Sequence, residues 1–249
     1  MTEVWSYGGG VQSCAIAALL VQDRIPKPDI AVIADTGMEQ STTWSYLADV
    51  VQPAMTKIGV TVHIVKAADF ATVGTFGGAE GKSLLIPAFT NRSGSIGKLP
   101  GYCSNEWKAR VIDRWLSKRG VKKGVKWLGF STDELERMKP DTKKWAHRYP
   151  LIDQIMNRGD CQAIVERLGW PPSPRSSCWM CPNHTQVEWR DIRDNKPKDW
   201  ANAVAFDKWI RKTDENAYVH SDCVPLEEAD LDEKNETFFT RCESGHCFT

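Results

Sequence analysis

Short apolar runs alternate with helical patterns through the first half of the chain. Runs of four or more mostly apolar residues are typical of buried parallel strands, and they occur at 3–7, 29–34, 60–65 and 125–130. Apolar residues at helical spacing, or a run of strong helix formers, predict helices at 13–22, 41–58 and 106–117. This alternation predicts an α/β fold with a doubly wound, mostly parallel, Rossmann-like sheet.

Two stretches depart from the alternation. Residues 71–101 contain seven glycines and few periodic apolar positions, so we expect a long loop over the carboxyl edge of the sheet. Strands no longer alternate with helices after about residue 134, and amphipathic helices and cysteines follow. The sequence therefore predicts an α/β domain at 1–134 and a helical, cysteine-rich region at 135–249 that ends in a flexible tail.

A glycine turn joins the first predicted strand to the first predicted helix. Gly8, Gly9 and Gly10 permit a sharp turn and a close approach to the backbone, and Ser13 adds a hydroxyl near the first helical turn. A strand, a glycine turn and a helix start together aim backbone N–H groups at a phosphate. The same pattern also suits a tight turn that binds no ligand, and the spacing is neither the dinucleotide fingerprint nor Walker A.

Composition narrows the class of protein. The chain has 249 residues with a formal net charge of zero, so it lacks a global basic surface for nucleic acid; residues 135–148 are locally basic. No apolar run approaches the roughly 20 residues of a membrane span, and the start lacks a secretory signal pattern. We expect a cytoplasmic protein without membrane partners. Eight cysteines in such a protein indicate metal binding or redox chemistry rather than disulfides.

One pair of cysteines has metal-ligand spacing. Cys178-x-x-Cys181 can direct two thiolates at one metal ion, and Cys103 and Cys161 would complete a four-sulfur site for a 4Fe–4S cluster or, alternatively, for Zn²⁺. Other interpretations remain open: Cys161 as a small apolar residue, Cys103 as a catalytic thiol, and the pair as a redox dithiol. His184 is the substitute ligand to test first.

The glycine turn resembles a known phosphate-binding loop. Gly8-Gly-Gly-Val-Gln-Ser13 is similar to the PP-loop of the N-type ATP pyrophosphatases, whose usual signature is Ser-Gly-Gly-x-Asp-Ser. This superfamily includes phosphoadenosine-phosphosulfate reductase and the DNA-phosphorothioation and tRNA-thiolation enzymes. The first serine of the signature is Gly8 here and the aspartate is Gln12, which cannot supply a carboxylate to Mg²⁺.

Further segments carry the same resemblance in the same order. Ile33–Glu39 is similar to the Asp-Thr-Gly element of the reductase branch, Cys103–Lys108 to its Cys-Thr-x-x-x-Lys element, and Leu128–Arg137 to its Gly-Ile-x-x-Asp-Glu-x-x-Arg element. The Pro/Ser segment at 171–182 resembles uncharacterised members of this branch, some of them phage-encoded. The resemblance implies a nucleotide site formed by Ser6, Gly8, Gly9, Gly10, Gln12, Ser13, Asp35, Thr36, Gly37 and Arg137, with Lys108 as a phosphate-contacting or catalytic cation.

The end of the chain contains two more candidate catalytic residues. Cys242-Glu-Ser-Gly-His-Cys247 is similar to the carboxy-terminal Glu-Cys-Gly-x-His of the reductase, whose cysteine attacks sulfur, although the order differs. A flexible terminus could bring either thiol to a cleft, and it could equally carry two incidental thiols.

Three functions follow from these features. The first is an enzyme that adenylates an acceptor with ATP, with Mg²⁺ expected, and releases pyrophosphate for sulfur transfer near a 4Fe–4S cluster. The second is a reductase-like thiol enzyme that takes sulfite from an adenylyl sulfate through Cys242 or Cys247. The third is a nucleotide-binding protein without turnover. The expected partners are an adenine nucleotide, a sulfur donor protein and a possible nucleic-acid acceptor.

Overall fold

A computed structural model describes residues 1–77 and 83–232. Its strands are β1 (Glu3–Ser6), β2 (Ile30–Asp35), β3 (Val62–Lys66), β4 (Phe76–Gly77), β5 (Ser83–Leu84), β6 (Phe89–Thr90), β7 (Gly97–Lys98), β8 (Gly124–Trp127), β9 (Trp145–Arg148) and β10 (Ala217–Tyr218). Its α-helices are α1 (Val11–Val21), α2 (Ser41–Tyr46), α3 (Gln52–Lys57), α4 (Arg110–Lys118), α5 (Pro150–Asp153), α6 (Arg158–Arg167), α7 (Gln186–Asn195) and α8 (Pro197–Arg211).

Shorter helical turns fill several of the connections. Two are π-helical, at Leu47–Val51 and Asn105–Ala109, and three are 3₁₀-helical, at Ala67–Asp69, Thr132–Arg137 and Leu226–Glu228. The first π turn joins α2 to α3, so the predicted helix at 41–58 is continuous. Within the described ranges, no helix is long and apolar enough to cross a membrane.

The chain divides into two compact units. Among the described residues, the first contains 1–70 and 108–176, and the second contains 71–77, 83–107 and 177–232. This division differs from the predicted boundary at residue 134, because β9 pairs in parallel with β8 and so continues the sheet beyond that point. The sequence predicted a loop at 71–101; the described residues of this stretch belong to the second unit and include short strands.

The first unit is built on a five-stranded parallel sheet with the order β3-β2-β1-β8-β9. Helix α1 packs against α3, α5 and α6, and α4 packs on β2 and β3. The doubly wound α/β fold is therefore confirmed. The chain steps from β1 to β2 and β3 on one side and places β8 on the other side of β1. Ligands of open α/β sheets bind at this kind of reversal, outside the carboxyl ends of the strands.

The hydrophobic core of the first unit explains why α1 is almost entirely apolar. Cys14, Ile16, Leu19 and Leu20 are fully buried or nearly so, and α6 covers this helix with Ile164. A helix that is buried nearly all round needs no polar face, so the periodicity of α1 is weak although the helix is stable.

The second unit contains an antiparallel sheet in the order β10-β6-β7, a hairpin of β4 and β5, and the packed pair α7 and α8. Asp207 on α8 is 1% exposed and accepts hydrogen bonds from the main-chain N–H groups of Val219 and Leu226 at 3.1 Å each. Its second oxygen also receives the Arg211 guanidinium at 2.9 Å. This buried carboxylate thus fixes the chain that follows α8.

Candidate functional site

The glycine loop connects β1 directly to α1, at the point where the order of the strands in the sheet reverses. Gly9 has a φ of +79°, and a Cβ atom there would lie 2.6 Å from Cγ2 of Thr43. Glycine is therefore required at position 9 by both backbone conformation and space. Gly10 is the N-cap of α1. Because glycine has no side chain, the cap itself occupies none of the orphan N–H groups that begin the helix.

Ser13 supports the loop from within α1. Its hydroxyl oxygen accepts a hydrogen bond from the Gly8 N–H at 2.8 Å, and the residue is 6% exposed. The sequence predicted Ser13 as a phosphate donor; in the structure its hydroxyl oxygen holds the first glycine of the loop. Ser6, the last residue of β1, is partly buried beside this turn.

The turn after β2 is organised around two acidic residues. Asp35 accepts the Gly37 N–H at 2.8 Å, and Gly37 has a φ of +76°, so both shape this turn. Glu39 accepts the Thr36 N–H at 3.0 Å and the Thr36 hydroxyl at 2.9 Å. The Nζ atom of Lys108 lies 3.3 Å from Glu39, whose side chain is only 2% exposed. The turn therefore holds Lys108 at the carboxyl edge of the sheet.

Lys108 belongs to the π-helical turn at Asn105–Ala109. Single π turns are frequent at functional sites, because the extra residue re-aims a side chain. The buried carboxylate of Glu39 stabilises the charge of the Lys108 ammonium, since an isolated charge is costly to bury. The sequence motif predicted Lys108 but assigned no role to Glu39.

Glu134 links the loops that follow β1 and β8. The Gln12 Nε2 atom donates to Glu134 at 3.1 Å, and the Arg137 guanidinium forms an ion pair with the same carboxylate. Arg137 also lies over the Phe130 ring, 4.4 Å from its centroid. The structure thus brings Gln12 and Arg137 to the same carboxylate, that of Glu134. Arg137 therefore contributes to this site through its ion pair with Glu134.

Several cationic side chains lie close together near the segment that follows β8. Burial lowers the pKa of the Lys139 ammonium, and the nearby charges of Lys126 and Arg137 lower it further. Lys126 itself forms an ion pair with Asp113 at 2.5 Å. The basic segment noted in the sequence therefore contributes positive potential to this part of the first unit, partly neutralised by acidic neighbours.

The cysteine pair lies in a turn of the second unit. The Cys181 N–H donates to the Cys178 carbonyl at 3.0 Å. The same carbonyl lies 2.9 Å from Nε2 of His184; because a carbonyl only accepts, that nitrogen is the donor. The His184 Nδ1 atom is 3.8 Å from Glu188. His184 therefore braces the turn, and its Nε2 atom is not presented to a metal ion in this arrangement.

The predicted four-cysteine site is not assembled in the part of the chain that the structure describes. No group of three or more His, Cys, Asp or Glu side chains is placed there to hold a metal ion. Cys103 belongs to the second unit with the pair, whereas Cys161 is fully buried on α6 in the core of the first. Burial is the main cause that raises the pKa of the Cys161 thiol to about 12, which disfavours a thiolate ligand.

Burial therefore supports the other interpretation of Cys161, a small apolar residue of the core. Cys14 is similar: burial raises the pKa of its thiol to about 11, and its sulfur lies 3.7 Å from the Tyr7 hydroxyl. Cys242 and Cys247, the candidate catalytic thiols, lie outside the described residues.

Comparison with solved structures gives a distant likeness. No protein-family model matches the chain, and no curated protein matches it. Among solved structures, the chain is similar to the U34-tRNA thiolase NcsA from Methanococcus maripaludis with its 4Fe–4S cluster. The identity is 12% and the TM-score 0.44, over 85% of this chain and 72% of that one. At this level the likeness assigns neither an activity nor a cofactor to this chain.

Proposed function

We propose that this chain is a PP-loop enzyme that adenylates an acceptor with ATP and releases pyrophosphate, in the service of sulfur transfer. The observation that carries the proposal is the glycine loop before α1, at the reversal of a parallel sheet, where position 9 admits only glycine. Helix N-termini of this kind bind phosphate through their N–H groups and their dipole.

The residues around the loop suit the parts of the nucleotide. Main-chain N–H groups from Gly9 to the first turn of α1 would hold the phosphates. Asp35 is the last residue of the neighbouring strand β2, where its carboxylate would accept a hydrogen bond from a ribose hydroxyl. Lys108, held by Glu39, supplies a cation on the same edge of the sheet.

The proposed chemistry is a displacement at the α-phosphorus. An acceptor oxygen forms a bond to phosphorus while the bond from phosphorus to the bridging oxygen breaks, and pyrophosphate takes the electron pair. Fixed N–H donors and the Lys108 ammonium would stabilise the charge that develops on the phosphate oxygens, the main catalytic contribution expected for phosphoryl chemistry.

The aspartate that the family signature offers to Mg²⁺ is Gln12 in this chain. Position 12 offers an amide whose nitrogen already donates to Glu134, and that carboxylate also pairs with Arg137. A Mg²⁺ ion that accompanies ATP would therefore take its ligands mainly from phosphates and water, as Mg²⁺ commonly does. We assign no step to it.

Metal binding by Cys178 and Cys181 is a separate proposal. Their spacing suits two ligands of a 4Fe–4S cluster or of Zn²⁺, whereas the burial of Cys161 does not suit a third. The described residues do not fit a complete cluster site, so no step of the reaction is routed through one.

A second candidate is a nucleotide-binding protein without turnover. Its support is specific: the position at which the family signature has an acid carries Gln12, held by Glu134. The reductase-like alternative depends on Cys242 and Cys247 and would be favoured by sulfite release from an adenylyl sulfate that is lost in Cys242→Ser.

The test is product analysis with ATP labelled at the α-phosphate, under anaerobic conditions, with and without tRNA or DNA as acceptor. The proposal expects pyrophosphate together with AMP or an adenylated acceptor. ADP and phosphate as products would contradict it. Nucleotide binding without any turnover would favour the second candidate, and dependence on tRNA or DNA would identify the class of acceptor.

A further inference from the structure

Residues 171–176, here called the covering segment, lie against the glycine loop within the first unit. The Tyr46 hydroxyl anchors the start of the segment by donating to the Pro171 carbonyl at 2.8 Å. At its end, the Ser176 hydroxyl donates a hydrogen bond to the Gly8 carbonyl, and Ser176 is 8% exposed. The segment is separated from the loop by more than 160 residues of sequence but contacts it directly, since Gly8 and Ser176 are 168 positions apart.

The approach of the segment depends on a second glycine. A Cβ atom at Gly10 would lie 3.0 Å from Cβ of Ser176 and 3.3 Å from its main-chain nitrogen. Contacts this short are tighter than packed side chains normally make, so a side chain at position 10 would push the segment away. Glycine at position 10 therefore has a steric role as well, because its lack of a side chain leaves room for Ser176.

The hydrogen bond of Ser176 determines how one peptide unit of the loop is oriented. The Gly8 carbonyl and the Gly9 N–H belong to the same planar trans peptide, in which these two groups point in opposite directions. Because Ser176 holds the carbonyl, the Gly9 N–H must point away from the covering segment. Ser13 holds the preceding peptide through the Gly8 N–H. Two serines, one from α1 and one from the covering segment, therefore fix two successive peptide planes.

We infer that Ser176 is a positioning residue of the phosphate loop: by holding the Gly8 carbonyl it aims the Gly9 N–H at the nucleotide phosphates. The inference rests on the proposed function, since it requires that the loop bind phosphate. It assigns no contact between Ser176 and the nucleotide; Ser176 acts through the orientation of Gly9.

Ser176→Ala tests this role when ATP and adenosine binding are both measured by calorimetry. We expect the affinity for ATP to fall about tenfold, the effect of one hydrogen bond of about 1.4 kcal/mol, while the affinity for adenosine, which lacks phosphates, stays unchanged. Ser45→Ala is the matched control: the Ser45 hydroxyl also donates to a main-chain carbonyl, that of Thr42 at 3.2 Å, on the exposed side of α2. It should leave both affinities unchanged.

A second variant separates positioning from packing. Ser176→Cys fills nearly the same space with a weak donor, so it should lose ATP affinity as the alanine variant does and melt close to the wild-type temperature. Equal or tighter ATP binding by both Ser176 variants, with wild-type protein that binds ATP, would overturn this inference alone. An equal loss for ATP and adenosine would also overturn it. Wild-type protein that binds no ATP would overturn the proposed function and this inference together.

Discussion

Substitution of Gly9 by alanine tests the geometry on which the nucleotide site depends. An L-residue at its φ of +79° costs about 1–2 kcal/mol relative to glycine. The new Cβ atom would also lie 2.6 Å from Cγ2 of Thr43, a buried side chain that cannot retreat into solvent. Overpacking of this kind costs typically about 1–3 kcal/mol. We therefore expect Gly9→Ala to lower the free energy of unfolding by about 2–5 kcal/mol.

A matched control isolates the steric part of this loss. Gly59 has a φ of +77°, and a Cβ atom there would meet nothing within 4 Å. Gly59→Ala should lose only the conformational part, about 1–2 kcal/mol. Because alanine also restricts the unfolded chain equally in both variants, the difference between them reports the clash with Thr43.

Urea denaturation and thermal melting measure the stability of both variants. The difference of about 1–3 kcal/mol corresponds to a melting temperature lower by roughly 2–12 °C in Gly9→Ala than in Gly59→Ala. ATP should stabilise the control as it stabilises the wild type, by about 2.7 kcal/mol at a hundredfold excess over Kd, and should stabilise Gly9→Ala much less. Equal stability losses in the two variants would refute the steric argument. The same stabilisation of Gly9→Ala by ATP would refute a role of this loop in phosphate binding.

Three other changes have defined outcomes. Glu39→Gln removes the carboxylate beside Lys108 and should cost about 1.5–3 kcal/mol in urea denaturation; an unchanged midpoint would show that the ion pair contributes nothing. Burial lowers the pKa of the His220 imidazole, so the unfolded chain takes up the proton first, and stability should fall as pH drops below about 6.5. His220→Gln should flatten the loss between pH 7.5 and 5.5; an identical loss in this variant would exclude His220 as the cause. Cys178→Ser should lower the metal content of anaerobically purified protein and its absorbance near 400 nm, whereas Cys161→Ala should leave both unchanged and lower only the melting temperature; loss of metal in Cys161→Ala would contradict its placement in the core.

The elements that could be predicted from the sequence are those determined by local pattern. The central strands β1 and β2 read as apolar runs because most of their residues are buried, and the glycines after β1 mark the turn. Strand β9 was missed because Trp145–Arg148 contains a histidine and an arginine and has no apolar run. It is an edge strand with one neighbour, so its composition gives little signal.

The contacts of the site could not be predicted from the sequence, because they join positions that are far apart along the chain. Ser176 acts on Gly8 across 168 residues, and Glu134 receives Gln12 across 122. Glu134 and Ser176 lie in recognisable sequence motifs, yet a motif does not show which atoms a side chain contacts. The π turn that carries Lys108 was also unpredictable, since its residues match those of an ordinary helix.

The central claim is that the loop at Gly8–Gly10 holds the phosphates of a nucleotide. An NMR titration of protein labelled with ¹⁵N only at glycine tests this claim directly. The chain has 18 glycines, and Gly9→Ala and Gly10→Ala would assign the two signals of interest. We predict that the Gly9 and Gly10 amide signals shift with ATP and with pyrophosphate but not with adenosine. Signals at Gly9 and Gly10 that stay in place at saturating ATP, while other glycines shift, would contradict it.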